Sequence, residues 1–313
     1  MTETFGPTTE TAPLRILHIV AAEETPGEAD QALALMERLA MLGHTQSLLA
    51  APGSALEAEA RSRGLEVAPL ALPSIAQLSR GLDLVHAHDS RAHSMAVATA
   101  RAPVIVSRRI GKPVLRSPAA RWKYRRAAHF IAISHYVEQM LLNAAIPPER
   151  ISVVYEGVDV SDHAPGADSR LAIALDGDAR AIVEQAAQLA GVPVEFVRDG
   201  AMDALCGRVF LYLTRRGASI LPVLRAMACG VPVIASRVEG PAEIVEDDQT
   251  GFLVSNDAQE VANAICQALD RPELGAHARA RVAERFTLDR MAGDTLEAYR
   301  RTLAPPQPES SSS

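Results

Sequence analysis

Residues 225–254 read Arg-Ala-Met-Ala-Cys-Gly-Val-Pro-Val-Ile-Ala-Ser-Arg-Val-Glu-Gly-Pro-Ala-Glu-Ile-Val-Glu-Asp-Asp-Gln-Thr-Gly-Phe-Leu-Val. A helix end at Ala226-Met227-Ala228 breaks at Gly230, and an uncharged strand follows from Val231 to Ala235. A Gly-Pro turn, a short helix and a second strand at Gly251–Val254 complete the segment. Strands this short and this apolar are covered on both faces. A helix between two of them is the crossover of a parallel sheet. The segment therefore confines the chain to an α/β architecture.

The same alternation runs upstream. Short apolar runs at Leu14–Val20, Gln46–Ala50, Glu66–Leu70, Leu82–Ala87, Pro103–Val106, Phe130–Ile133 and Ser152–Tyr155 read as seven strands. Helical periodicity lies between them, first from Asp30 to Leu42, with Ala32, Leu33, Leu35, Met36, Leu39 and Ala40 inward and Gly43 as the stop. The polar stretch Ser161–Ser169, with Pro165 and Gly166, is expected to be a linker. It separates a first domain over 14–160 from a second over 170–287, with strands near Leu171–Ala174, Val194–Val197, Val209–Leu213, Pro232–Ala235 and Gly251–Val254. A closing helix is expected over 288–304. The ends, 1–13 and 305–313, are polar and rich in Pro, Thr or Ser and are expected to be disordered. The expectation is two Rossmann-like doubly wound domains facing across a cleft.

Charge and cysteine usage exclude several classes. A net charge of −7 argues against a general nucleic-acid binder. No apolar run reaches membrane-span length, and Met1–Pro13 lacks a basic, apolar leader. Cys206, Cys229 and Cys266 are too few and too scattered for a disulfide framework or a zinc site, so a reducing cytoplasm is expected. No Gly-x-Gly-x-x-Gly follows the first strand, which speaks against a nicotinamide enzyme.

Loops at the C-terminal ends of parallel strands hold the candidate site residues. Glu23, Glu24, Glu28 and Asp30 surround Gly27 at the first helical turn, where they suit the helix dipole and repel a diphosphate. His86 and His88, two apart on a strand, share one face, and lack the carboxylate or thiolate companions of a metal site. From Arg108 to Arg126, Arg108, Arg109 and Lys112 among them, there are eight basic residues and no acidic one. Such a local field attracts an anionic acceptor or an anionic membrane surface, and equally describes a solvated helix face.

Taken in order, Arg15-Ile-Leu-His-Ile-Val, Leu84-Val-His-Ala-His-Asp, Arg121-Trp-Lys-Tyr-Arg-Arg-Ala, Ile146-Pro-Pro-Glu-Arg-Ile-Ser-Val-Val-Tyr-Glu-Gly-Val-Asp and the 225–254 block resemble the retaining, family-4-type (group 1) glycosyltransferases of GT-B fold. The resemblance runs from Leu14 to about Leu303. It implies sugar transfer from a nucleotide-sugar donor, without a metal, to a glycolipid, polysaccharide or lipopolysaccharide precursor. With the cysteine usage and the basic run, the expected place is the cytoplasm, peripheral at the inner membrane face. It implies a closing helix that returns to the first domain. It also exposes departures. Gly27 keeps the first position of the family's glycine pair and Glu28 takes the second. The two donor-site glutamates, eight apart, are replaced by Gly217 and Arg225. About one strand–helix unit, with its Arg and Lys, is missing after the linker.

Charged hydrogen bonds of the kind lost are worth roughly 1.5–3 kcal/mol each, about 10²- to 10⁴-fold for two. Gly27, Arg215, Arg216, Gly217, Ser219 and Arg225 are the candidate donor-binding set; His86, His88, Arg108, Arg109 and Lys112 are the acceptor-side set. The alternative is a catalytically inactive relative that binds a glycan, a nucleotide or a partner transferase.

Overall fold

The computed structural model of the chain describes residues 12–22, 26–109, 111, 113–114, 117–160, 170–198, 207–215 and 219–304. In the first half, strands alternate with helices in the order β1 (Arg15–Ile19), α1 (Pro26–Met41), β2 (Thr45–Ala50), α2 (Ala55–Ser62), β3 (Val67–Pro69), α3 (Leu72–Leu78) and β4 (Leu84–Ala87). There follow α4 (Ser90–Thr99), β5 (Val104–Arg108), α5 (Pro118–Arg126), β6 (His129–Ala132), α6 (His135–Leu142) and β7 (Ile151–Val153). The seven strands form one sheet in the order β3-β2-β1-β4-β5-β6-β7, and every neighbouring pair is parallel.

The second half runs β8 (Ala172–Leu175), α7 (Arg180–Ala190), β9 (Val194–Val197), β10 (Val209–Tyr212), α8 (Leu221–Ala228), β11 (Val233–Ser236), α9 (Pro241–Ile244), β12 (Gly251–Val254), α10 (Ala258–Asp270), α11 (Glu273–Arg285) and α12 (Leu288–Leu303). Its five strands make a separate parallel sheet, β12-β11-β10-β8-β9. The expected linker at 161–169 lies outside the described residues.

Both strand orders reverse direction once, between β1 and β4 in the first sheet and between β8 and β10 in the second. Open α/β sheets leave a crevice at such a reversal, beyond the carboxyl ends of the strands. Sheet order alone thus directs attention to the loops after β1, β4 and β10.

Two features tie the halves together. The final helix α12 buries Met291, Leu296 and Tyr299 against Ile16, Leu84, Ile105 and Ile131 of the first sheet. Val158, just after β7, joins the core of the second domain and donates its N–H to the Phe286 carbonyl at 2.9 Å. The preceding residue is glycine for a steric reason: a Cβ on Gly157 would stand 2.6 Å from the Thr287 carbonyl oxygen.

The cysteines depart from expectation. Cys266 is a free, exposed thiol, but Cys229, buried at the end of α8, is disulfide-bonded. Wide sequence spacing excludes a dense framework, but not one bond between segments that folding brings together.

Candidate functional site

His18 and His86 are register partners on adjacent strands, and His88 follows at the end of β4. All three are almost completely buried. His18 Nδ1 and His88 Nε2 are 2.9 Å apart, and the rings of His86 and His88 lie 4.0 Å between centroids. His86 meets Tyr299 Oη at 2.6 Å through Nδ1 and Ser107 Oγ at 2.8 Å through Nε2. Burial holds the His18 pKa down to about 3. It also pushes His86 and His88 well below the usual imidazole range, with neighbouring His18 and Arg109 adding to the effect. The rings are therefore neutral, each with one donor and one acceptor nitrogen.

Their nitrogens are close enough to share an ion. Yet both nitrogens of His86 are taken by hydroxyls, and among the described residues no carboxylate or thiolate joins the set. The arrangement is better suited to a hydrogen-bonded network that fixes His88. That ring lines a small cavity of about 20 Å³ with Asp89, Ser90, Ser107, Arg108 and Arg109, and its buried Nδ1 has no partner among the described residues.

Asp89 lies outside the candidate set read from the sequence, although an acid directly before a helix is a cap signal. One carboxylate oxygen accepts the N–H groups of Arg91 and Ala92 at the start of α4, both at 2.8 Å. The other accepts those of Ala21 and Ala22, at 2.6 and 3.2 Å. One side chain thereby fastens the loop after β1 to the loop after β4, across the point where strand order reverses.

The basic candidates are engaged with the protein. Arg109 Nε donates to Glu156 at 3.1 Å and Nη1 donates to the His88 carbonyl at 3.0 Å. This ion pair is buried on both sides. Glu156, missed in the sequence, was visible there only as an acid in the passage between domains. Arg108 donates to the Tyr124 hydroxyl, and burial lowers its pKa. Lys112 lies outside the described residues.

On the second domain, every residue of α8 is buried, Arg225 included. A helix apolar on all sides belongs in a core, and a guanidinium inside it requires a partner. Arg225 Nη2 finds that partner in the first domain, donating to Asp30 at 3.0 Å. The start of the same helix abuts the start of α1: a Cβ on Gly27 would stand 3.3 Å from Leu221 Cδ2. Ser219, exposed just ahead of α8, accepts the Leu221 N–H at 3.3 Å. Arg215 is exposed. Arg216 and Gly217 lie outside the described residues. The structure thus separates the donor-side candidates: Gly27, Ser219 and Arg225 converge where α1 meets α8, with Arg225 turned onto Asp30.

A second bridge spans the domains at α9. The Glu243 carboxylate accepts the N–H groups of His135 and Tyr136 at 2.8 and 3.0 Å, capping α6 from the other domain. It also accepts the Tyr155 hydroxyl at 2.7 Å. Burial, then this hydrogen bond, raises the Tyr155 pKa.

Comparison with known proteins agrees with this architecture. Residues 27–162 match the family model Glycosyltransferase Family 4, and residues 158–271 match Glycosyl transferases group 1. A sucrose synthase from Acidithiobacillus caldus is 43% identical over 81 residues, 23% of this chain and 10% of that protein. A GDP-mannose-dependent alpha-(1-6)-phosphatidylinositol dimannoside mannosyltransferase from Mycobacterium tuberculosis is 33% identical over 138 residues, 42% of this chain and 35% of that protein. The chain therefore spans only 10% to 35% of the length of these curated relatives.

Among solved structures, a glycosyltransferase from Rickettsia africae superimposes with a TM-score of 0.80 at 16% identity, over 95% of this chain and 100% of that one. Anabaena Alr3699/HepE, in complex with UDP and glucose, does so with a TM-score of 0.77 at 16% identity, over 92% and 99%. Superposition over more than nine-tenths of each chain at 16% identity shows a shared fold with both neighbours. The chain belongs to the family-4, group 1 glycosyltransferases and has their two-domain GT-B fold.

Proposed function

We propose that the chain transfers a sugar from a nucleotide-sugar donor to an acceptor held on the first domain, with retention of anomeric configuration. The observation that carries this reading is the meeting of two helix N-termini from different domains, α1 at Gly27 and α8 at Leu221. Helix N-termini present unpaired N–H groups and partial positive charge, so two of them converging favour a diphosphate. Arg225 adds a cation beside them, and Arg215 another on the loop ahead of α8. Charge of this kind stabilises a leaving nucleotide without calling for a metal ion. The UDP complex of the Anabaena neighbour and the GDP-mannose dependence of the mycobacterial relative support a nucleotide-sugar donor.

His88, at the floor of the first-domain crevice, is suited to hydrogen-bond a sugar hydroxyl. Arg108 and Arg109 beside it favour an anionic acceptor, such as a glycolipid, polysaccharide or lipopolysaccharide precursor. In this reading the protein works in the cytoplasm, at the inner face of the membrane.

One observation favours a second reading. Arg225 stands where a donor-binding glutamate is expected, and it is bonded to Asp30 rather than left open. This suits a non-catalytic relative that binds a glycan, a nucleotide or a partner transferase. The test is a panel of UDP-, GDP- and ADP-sugars, with free-nucleotide release and calorimetric binding measured together. Nucleotide release above the protein-free rate supports transfer. Binding without release supports the second reading, and no binding of any nucleotide overturns the first.

A further inference from the structure

The chain passes from the first domain to the second after β7 and returns to the first in α12. The two passages lie side by side: Val158 bridges Thr287 in parallel, and its N–H donates to the Phe286 carbonyl at 2.9 Å. Helix α1 grips both. The buried Gln31 side chain donates through Nε2 to the Gly157 carbonyl at 3.0 Å and accepts the Gly157 N–H through Oε1 at 3.2 Å. An amide offers that pairing of donor and acceptor, whereas an ionised carboxylate of the same length only accepts. Two turns further along the same face, Arg38 donates through Nη2 to Asp159, on the outgoing passage, at 2.7 Å. Its Nε lies 3.4 Å from Asp289, on the returning one.

Glycine is the freest pivot that a crossing between domains can have. Both backbone groups of Gly157 are nevertheless held by Gln31, and the Thr287 backbone stands against it. Hinges open by turning a few backbone dihedrals, so this one opens only after the amide lets go. We infer that Gln31 and Arg38 are positioning residues: they clamp the two inter-domain passages to α1 and so keep its start, at Gly27, apposed to the start of α8 at Leu221. Gln31 lies one turn beyond Gly27 and directly after Asp30, the partner of Arg225. Consecutive residues of α1 therefore hold the second domain and the passage that leads to it. The consequence for nucleotide binding rests on the donor-site reading above; the clamp itself does not.

Distances between spin labels on the full chain, without any ligand, test the clamp. One label is placed on the exposed free thiol of Cys266 in the second domain, the other on Ser62→Cys, an exposed position in the first. The expected result is one narrow distance distribution in the parent and a broader one, shifted to longer distance, in Gln31→Met. Gln31→Glu, which sets a carboxylate against the Gly157 carbonyl, is expected to behave alike. Arg38→Gln, at a half-buried side chain, broadens the distribution less and serves where the Gln31 variants fold poorly. A control pair within the first domain, Ser62→Cys with Arg101→Cys in a Cys266→Ser background, is expected to keep its distance in every variant. Equal inter-domain distributions in the parent and all three variants overturn the inference. So does equal broadening of the control pair, which would mark a general loss of packing. Calorimetry with UDP, GDP and ADP reads the consequence: Gln31→Met binds about tenfold more weakly, the loss that follows when about a tenth of the molecules keep the helix starts apposed. A variant that binds as tightly as the parent removes Gln31 from positioning. A parent that binds none of the three overturns the donor-site reading instead, and the clamp is then decided by the distances alone.

Discussion

The guanidinium of Arg225 and the carboxylate of Asp30 meet at 3.0 Å although 195 residues separate them. The pair crosses from one domain to the other at the place where Gly27 and Leu221 bring two helix starts together. A cation that family resemblance puts near the donor is thereby occupied by an acid of the first helix.

Freeing that cation is expected to alter nucleotide binding in a directional way. Asp30→Asn leaves Arg225 without its carboxylate and raises affinity for a nucleoside diphosphate several-fold. Arg225→Glu opposes Asp30 with a second carboxylate and lowers affinity by about tenfold or more, the scale of one charged hydrogen bond. Isothermal titration calorimetry measures both. Equal affinity in the two variants and the parent would remove Arg225 from the donor site.

Tyr299→Phe deletes the hydroxyl that meets His86 inside a fully buried contact between α12 and β4. Leaving a buried polar nitrogen without its partner costs about 1–3 kcal/mol. Chemical denaturation is expected to show that loss. Any change in turnover would come through displacement of His88, whose ring is packed against His86.

Glu243→Ala removes three hydrogen bonds between the domains at once. A lost helix cap costs about 1 kcal/mol, and the Tyr155 hydroxyl loses its acceptor as well. The expected outcome is a stability loss of about 1–3 kcal/mol and a larger radius of gyration by small-angle scattering, as the cleft opens on that side. Unchanged scattering with reduced stability would confine Glu243 to local capping.

Acid should destabilise the protein at an unusually high pH. Five buried or largely buried histidines, His18, His86, His88, His93 and His129, have pKa values depressed by desolvation. Burial brings His18 and His93 down to about 3 and His129 to about 4. Because the folded values lie below the unfolded 6.5, the unfolded chain binds more protons in acid. The stability is therefore complete above pH 6.5 and declines as pH falls towards the folded values. Each histidine contributes up to about 1.4 kcal/mol per pH unit in that window. Urea titrations at pH 7.5 and 5.5 should differ by several kcal/mol, and a flat profile over this range would contradict the buried, neutral assignment.

The alternation of short apolar runs with helical periodicity placed all twelve strands to within two residues or so, because backbone pairing and two-sided burial leave a local trace. The helices at Leu72–Leu78, Ser90–Thr99, His135–Leu142 and Glu273–Arg285 are not expected from the sequence; the second and the last are rich in Arg, His and Ala, which weakens an apolar stripe. Parts of the site were equally visible. His86 and His88 share a strand face by period alone, and the basic run stands out against an acidic chain.

What the sequence by itself determined is therefore the class of fold, the position of its loops and the residue types available there. Only the tertiary structure decided which of those residues meet. His18 joins His86 because β1 and β4 pair in one particular register, and Tyr299 reaches them because α12 returns to the first sheet. Arg109 finds Glu156, Arg225 finds Asp30, and Glu243 caps α6 across the interface. Periodicity records how deeply a residue is buried relative to its own helix or strand. It carries no record of partners on other elements, which are fixed by strand register and by the docking of one sheet's loops against the other's.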